Sequence, residues 1–133
     1  MADSFDPSNI PADALSFLTE RHLATLTTLA SDGSPQVTPV GVTYDQDRQL
    51  ACVITWSTSR KAKNVASAPG QRVAVCQVDG GRWLTIYGVA TVTDEPGAVA
   101  EAVRRYTDRY REPKKRTDRV VIEIRAERIL GRA

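Results

Sequence analysis

Residues 23–41 read LATLTTLASDGSPQVTPVG, and this stretch decides the fold. From Leu23 to Ala30 two sets of side chains alternate: Leu23, Thr25, Thr27 and Leu29 against Ala24, Leu26, Thr28 and Ala30. A period of two in threonine-rich composition is a strand pattern, because successive side chains on a pleated backbone point to opposite faces. Ser31–Pro35 (SDGSP) is a turn cluster, and Gln36–Tyr44 resumes as strand, so the segment predicts a hairpin. Pro39 has no N–H to give a ladder, which places its strand at an edge or a bulge and leaves backbone groups free there.

The same reading extends both ways along the chain. Upstream, Pro11 suits a first helical turn, and Ile10, Ala14, Phe17 and Leu18 share one face. Downstream, Leu50–Thr55 predicts a third strand and Ser57–Ala68 a short capped helix closed by Pro69 and Gly70. Gln71–Val78 and Trp83–Thr93 predict a hairpin around Asp79, Gly80 and Gly81. Asp94 and Pro96 open a helix with Val99, Val103, Tyr106 and Tyr110 on one stripe, and Arg119–Arg125 is a last strand. Short turns between strands favour antiparallel pairing and exclude a doubly wound parallel sheet. The expectation is a mainly β protein: a six-stranded antiparallel split β-barrel with peripheral helices, since closure removes sheet edges.

With 133 residues, the chain has room for one core, and residues 1–133 are read as a single domain with residues 1–10 a flexible lead. Hydrophobic residues make up 41% and charged residues 26% of the chain, an ordinary globular balance that excludes a disordered tail. The acidic start MADSFDPSNIPAD and the lack of any long apolar run predict a cytoplasmic protein with no membrane partner. Cys52 and Cys76 have no CxxC spacing and only His22 for company, so no zinc site is expected and both are read as small core residues. Net charge is +2, but residues 104–119 hold eight basic side chains against three acidic. Without a nucleic-acid motif this stretch reads as a solvated helix end and loop, and no nucleic-acid partner is expected.

No GxSxG, HExxH, GxGxxG or P-loop motif occurs, so any catalysis falls to a cofactor, and no catalytic side chain is assigned. His22 reads as a polar contact at a helix end. The segment TWSTSRKAKN, Thr55–Asn64, is the best anion site: a strand ends, Ser57, Thr58 and Ser59 meet a helix N-terminus, and Arg60, Lys61 and Lys63 add charge. The alternative is a polar cap with solvated lysines. Gln77 and Trp83 form a second candidate, an amide in an apolar strand beside a flat ring; the alternative is that Gln77 bonds protein backbone and Trp83 fills the barrel mouth.

In their order, LATLTTLASDGSPQVTPVG, ITWSTSRKAKN, CQVDGGRWLTIYGVATV and a helix ending RYTDRYR resemble the pyridoxamine 5'-phosphate oxidase-like split-barrel superfamily. Within it the chain is similar to the B group of flavin/deazaflavin oxidoreductases, particularly the F420-dependent biliverdin reductases. The resemblance implies a homodimer with cofactor sites at the subunit interface and the cofactor phosphate near Ser59, Arg60, Lys61 and Asn64. It places Thr38, Pro39, Val40 and Gly41 along the ring, Val53, Ile54 and Thr55 on the adjoining strand, and Gln77 and Trp83 approaching from the partner subunit. The activity implied is an F420H2-dependent oxidoreductase that passes a hydride to a conjugated acceptor, biliverdin or a related tetrapyrrole. FMN is the alternative cofactor, in an oxidase or reductase of the same superfamily, and non-catalytic flavin or tetrapyrrole binding is a further alternative. The ending ILGRA lacks the Arg-Leu signature of the true pyridoxamine phosphate oxidases, which disfavours that activity.

Overall fold

Eight strands and three helices follow one another in the computed structural model, which describes residues 2–133. In chain order they are β1 (Asp3–Phe5), α1 (Ala12–Thr19), β2 (Ala24–Leu29), β3 (Pro35–Val40), β4 (Thr43–Asp45), β5 (Leu50–Trp56), α2 (Arg60–Ser67), β6 (Gln71–Asp79), β7 (Arg82–Thr93), α3 (Pro96–Arg109) and β8 (Arg119–Arg132). The three helices and the antiparallel pairing fall as the sequence predicts. No helix among the described residues is long and apolar enough to cross a membrane.

Two more strands appear than the six expected. β1 forms within the stretch read as a flexible lead and pairs with β8, Ser4 opposite Leu130. The strand read as Gln36–Tyr44 is broken at Gly41 and Val42 into β3 and β4. β8 is also longer than expected, running seven residues past Arg125 to Arg132. A bulge explains why that end was missed: Gly88 faces Ala126 while Tyr87 faces Arg128, so Glu127 is skipped and the inward set shifts from Ile122, Ile124 and Ala126 to Ile129 and Gly131. The period-two pattern therefore breaks although the strand does not.

The sheet order is β3-β2-β6-β7-β8-β5-β4. Laid flat at ~4.8 Å per strand, its two outer members would lie roughly 29 Å apart, yet only Gly41 and Val42 join them, a link that spans at most roughly 11 Å. The sheet must roll up. No ladder between β3 and β4 occurs among the described residues, so the barrel is split rather than closed.

Inward side chains Leu26, Val53, Val75, Leu84, Ile86, Ile122, Ile124 and Ile129 fill the barrel, and Ala14, Phe17 and Leu18 of α1 plug it. Outside, α3 lays Ala102 on Cys52 and Val121, a second small core on the back of β5 and β8. Cys52 is thus a core residue, and burial pushes its thiol up to about 11. Cys76 is not: it faces outward on β6, opposite Thr25 and Thr85, and is only half-buried.

Candidate functional site

The split in the barrel is also a groove. β4 covers only the first half of β5, its last pair being Thr43 with Cys52. Beyond that point the free edges of β3 and β5 diverge, and a groove of about 370 Å³ lies between them. Thr38, Pro39, Val40 and Gly41 form one side, Ile54, Thr55 and Trp56 the other, with Lys61 of α2, Tyr106 of α3 and Arg119 at its walls. Two unpaired strand edges present backbone N–H and C=O groups there, a ready partner for the polar edge of a planar ligand.

Lys61 stands at one end of the groove. Ser59 caps α2 and starts the helix there: its Oγ accepts from the Ala62 N–H at 3.3 Å and from Thr55 Oγ1 at 2.9 Å. Lys61 Nζ then sits 5.3 Å from the centre of the Trp56 ring, and Arg116 lies 4.9 Å from the same ring. Burial lowers the Lys61 pKa. Arg116 is neutralised by Asp118 at 2.8 Å, whereas Lys61 has no carboxylate partner among the described residues. A desolvated ammonium facing a groove is a seat for an anion.

The other residues singled out in the sequence divide. Ser59 and Asn64 are buried and occupied: Asn64 Nδ2 donates to Thr28 Oγ1 at 3.1 Å, turning its side chain to β2 instead of the groove. Val53 points into the barrel core, so only its backbone borders the site. Arg60 is exposed on the helix surface. Gln77 is buried with both ends of its amide engaged, Nε2 donating to Phe17 C=O and Oε1 accepting from Arg109 Nη2, each at 2.8 Å. Trp83 faces outward opposite Val78 on the β6–β7 hairpin. Neither Gln77 nor Trp83 lines the groove of its own chain.

Sequence reasoning missed Arg109 and Tyr110, which seal the seam. Arg109 Nη1 donates to Val42 C=O and Nε to Glu20 C=O, while Tyr110 Oη accepts from the Val42 N–H at 3.1 Å and donates to His22 C=O at 2.6 Å. Side chains at the C-terminal end of α3 thus tie the link between β3 and β4 to the segment that precedes β2. Burial lowers the Arg109 pKa and raises that of Tyr110. Gly41 makes the fit possible, since a Cβ there would come within 2.6 Å of Tyr106 Cε2 and 3.0 Å of Tyr110 Cε2. The one signal in the sequence is that Arg109 lies three residues after Tyr106, on the apolar stripe of its helix.

The profile of the pyridoxamine 5'-phosphate oxidase family matches residues 10–133. The chain belongs to this family. A relative of the family, the F420H(2)-dependent biliverdin reductase of Mycobacterium tuberculosis (strain CDC 1551 / Oshkosh), is 51% identical over 121 residues, covering 91% of this chain and 87% of that protein. A conserved hypothetical protein of the same organism superposes with a TM-score of 0.76 at 25% identity, over 91% of this chain and 82% of the other. A structure described as an F420 reductase superposes with a TM-score of 0.72 at 24% identity, over 90% and 98%, and shows that the family fold is shared.

Proposed function

We propose that the protein is an F420H2-dependent reductase that acts on biliverdin or a related tetrapyrrole. The observation that carries this reading is the half-identical relative named an F420H(2)-dependent biliverdin reductase, matched along nearly its whole length. The groove fits a planar cofactor with an anionic arm: Lys61 would hold the phosphate, and the edges of β3 at Thr38–Gly41 and β5 at Ile54–Thr55 would lie along the ring. When bound there, reduced F420 would supply the hydride for reduction of the acceptor, with the matching proton drawn from solvent. The protein's part is to position, to exclude water and to supply charge; no side chain at the groove is needed as general acid.

The functional unit in this reading is a homodimer. Val37 and Val78 are 60% and 61% exposed, and they share an outer sheet face with Thr25, Thr27, Ala74 and Cys76, where no charge interrupts the strip. An exposed apolar strip of this kind is a surface for a partner, and a second copy docked there would bring its own Trp83 towards the groove. Cys52 and Cys76 remain free thiols, in keeping with a cytoplasmic setting. Titration of the purified protein with F420 and with FMN, followed by biliverdin-dependent oxidation of F420H2, tests the reading. Binding of F420 and turnover of biliverdin are expected. Preference for FMN, or tight binding without turnover, would replace it.

A further inference from the structure

A second groove, of about 370 Å³, opens on the far side of Tyr106 and is lined by Arg21, Leu23, Tyr106, Tyr110 and Arg111. Tyr106 is the common wall of this groove and of the one in the barrel split. We propose that the second groove holds the acceptor, a planar conjugated molecule bearing carboxylate arms, with Arg21 and Arg111 taking the carboxylates. The inference rests on the function proposed above.

Direction along the site supports this assignment. Lys61, without a carboxylate partner, stands beside Trp56 at one end of the cofactor groove, which makes that end the anion seat; Gly41 and Tyr106 stand at the other, where the reacting ring belongs. An acceptor must stack next to that ring, and the second groove begins there. Its surface suits a conjugated plane. The rings of Tyr106 and Tyr110 lie 5.0 Å apart at 37°, and Leu23, a leucine 66% exposed on a strand entry, continues the apolar wall.

The charges there are uncommitted. Arg104 is paired with Glu101 and Asp108, and Arg105 with Glu101 and Asp45. Arg21 and Arg111 are exposed and make neither an ion pair nor a side-chain hydrogen bond among the described residues. Behind them the half-buried Arg109 spends its N–H groups on two carbonyls and an amide oxygen and makes no salt bridge among the described residues. Two free guanidinium groups above a tyrosine pair, backed by a third cation, recognise a flat dianion by bidentate contacts.

The test compares biliverdin with biliverdin dimethyl ester in wild type, Arg21→Gln, Arg111→Gln and the double variant. Each single change is expected to raise KM for biliverdin about tenfold, with kcat at saturation and F420 affinity by fluorescence titration unchanged. The ester should be a poor substrate for wild type and be used equally well by wild type and the double variant, since it has no carboxylate to lose. Unchanged KM in the double variant would overturn the proposal, as would an equal rise in KM for acid and ester. Failure of the wild-type protein to bind F420 at all would instead overturn the function on which it rests.

Discussion

Replacing Lys61 with alanine separates a cofactor seat from a solvated helix lysine. Lys61 lies in the first turn of α2, where a cation opposes the helix dipole, and burial already lowers its pKa. The folded protein alone therefore gains little from the charge. What alanine removes is the contact with Trp56 at 5.3 Å, worth about 0.5–1 kcal/mol, and it relieves the cost of keeping an ammonium desolvated; the melting temperature should move by only a few degrees. A charge-assisted bond to a phosphate is worth about 1.5–3 kcal/mol, so Lys61→Ala should weaken F420 binding roughly 10- to 150-fold. Saturated turnover should change far less, because a contact made equally in ground and transition states leaves the barrier alone. The sign of the pH effect follows: phosphate favours the protonated amine, so wild-type affinity falls as pH rises through the lowered Lys61 pKa, and the alanine variant loses that dependence. Fluorescence titration at several pH values and salt concentrations measures all of this. Unchanged affinity would refute the phosphate seat, and lost turnover at saturating cofactor would move Lys61 to the reacting ring.

Gly41→Ala should lower both stability and cofactor affinity, because its Cβ meets Tyr106 at 2.6 Å; a variant that melts and binds as wild type would show the seam to be looser than drawn. Arg109→Met leaves the Glu20 carbonyl and the Gln77 oxygen without their donor and the Val42 carbonyl with Tyr110 Oη alone at 3.2 Å, a loss of about 2–3 kcal/mol in urea unfolding. If the proposed homodimer forms through the Val37–Val78 face, Val37→Glu combined with Val78→Glu should give a monomer in light scattering where wild type gives a dimer, and should abolish turnover; a wild type that is itself monomeric would refute the homodimer. Hydrogen bonds from Arg82 and His22 hold the Glu20 pKa at about 2 against 4.5, so its contribution to stability is full above 4.5 and is lost as pH falls towards 2. Glu20→Gln should flatten that part of an acid denaturation curve, which circular dichroism would follow.

The hairpins were legible because alternation and turn chemistry agree at β2–β3 and β6–β7. The break at Gly41 was not, since VTPVGVTY alternates across the gap and nothing local says that β3 and β4 part company. The second half of β8 escaped because skipping Glu127 inverts the pattern that a reader of period two relies on. At the candidate site, Lys61 could be picked out by the oddity of a cation in a helix's first turn. Asn64 could not be placed from spacing alone: three residues on from Lys61 it turns inward to Thr28. Arg109 was hidden among seven other cations, and its burial depends on carbonyls of Glu20 and Val42 that lie far away in sequence.

The position of β8 has a bearing on synthesis. It is the last strand in chain order, yet it lies between β7 and β5 and joins the two halves of the sheet. On the ribosome, everything before residue 119 emerges as two disconnected hairpin assemblies, with the inner edges of β5 and β7 bare and rich in Val, Ile and Thr. Such edges can template intermolecular pairing. Nascent chains stalled ahead of β8 should therefore depend on chaperones and be quickly degraded, while emergence of β8 should fold the barrel in one cooperative step.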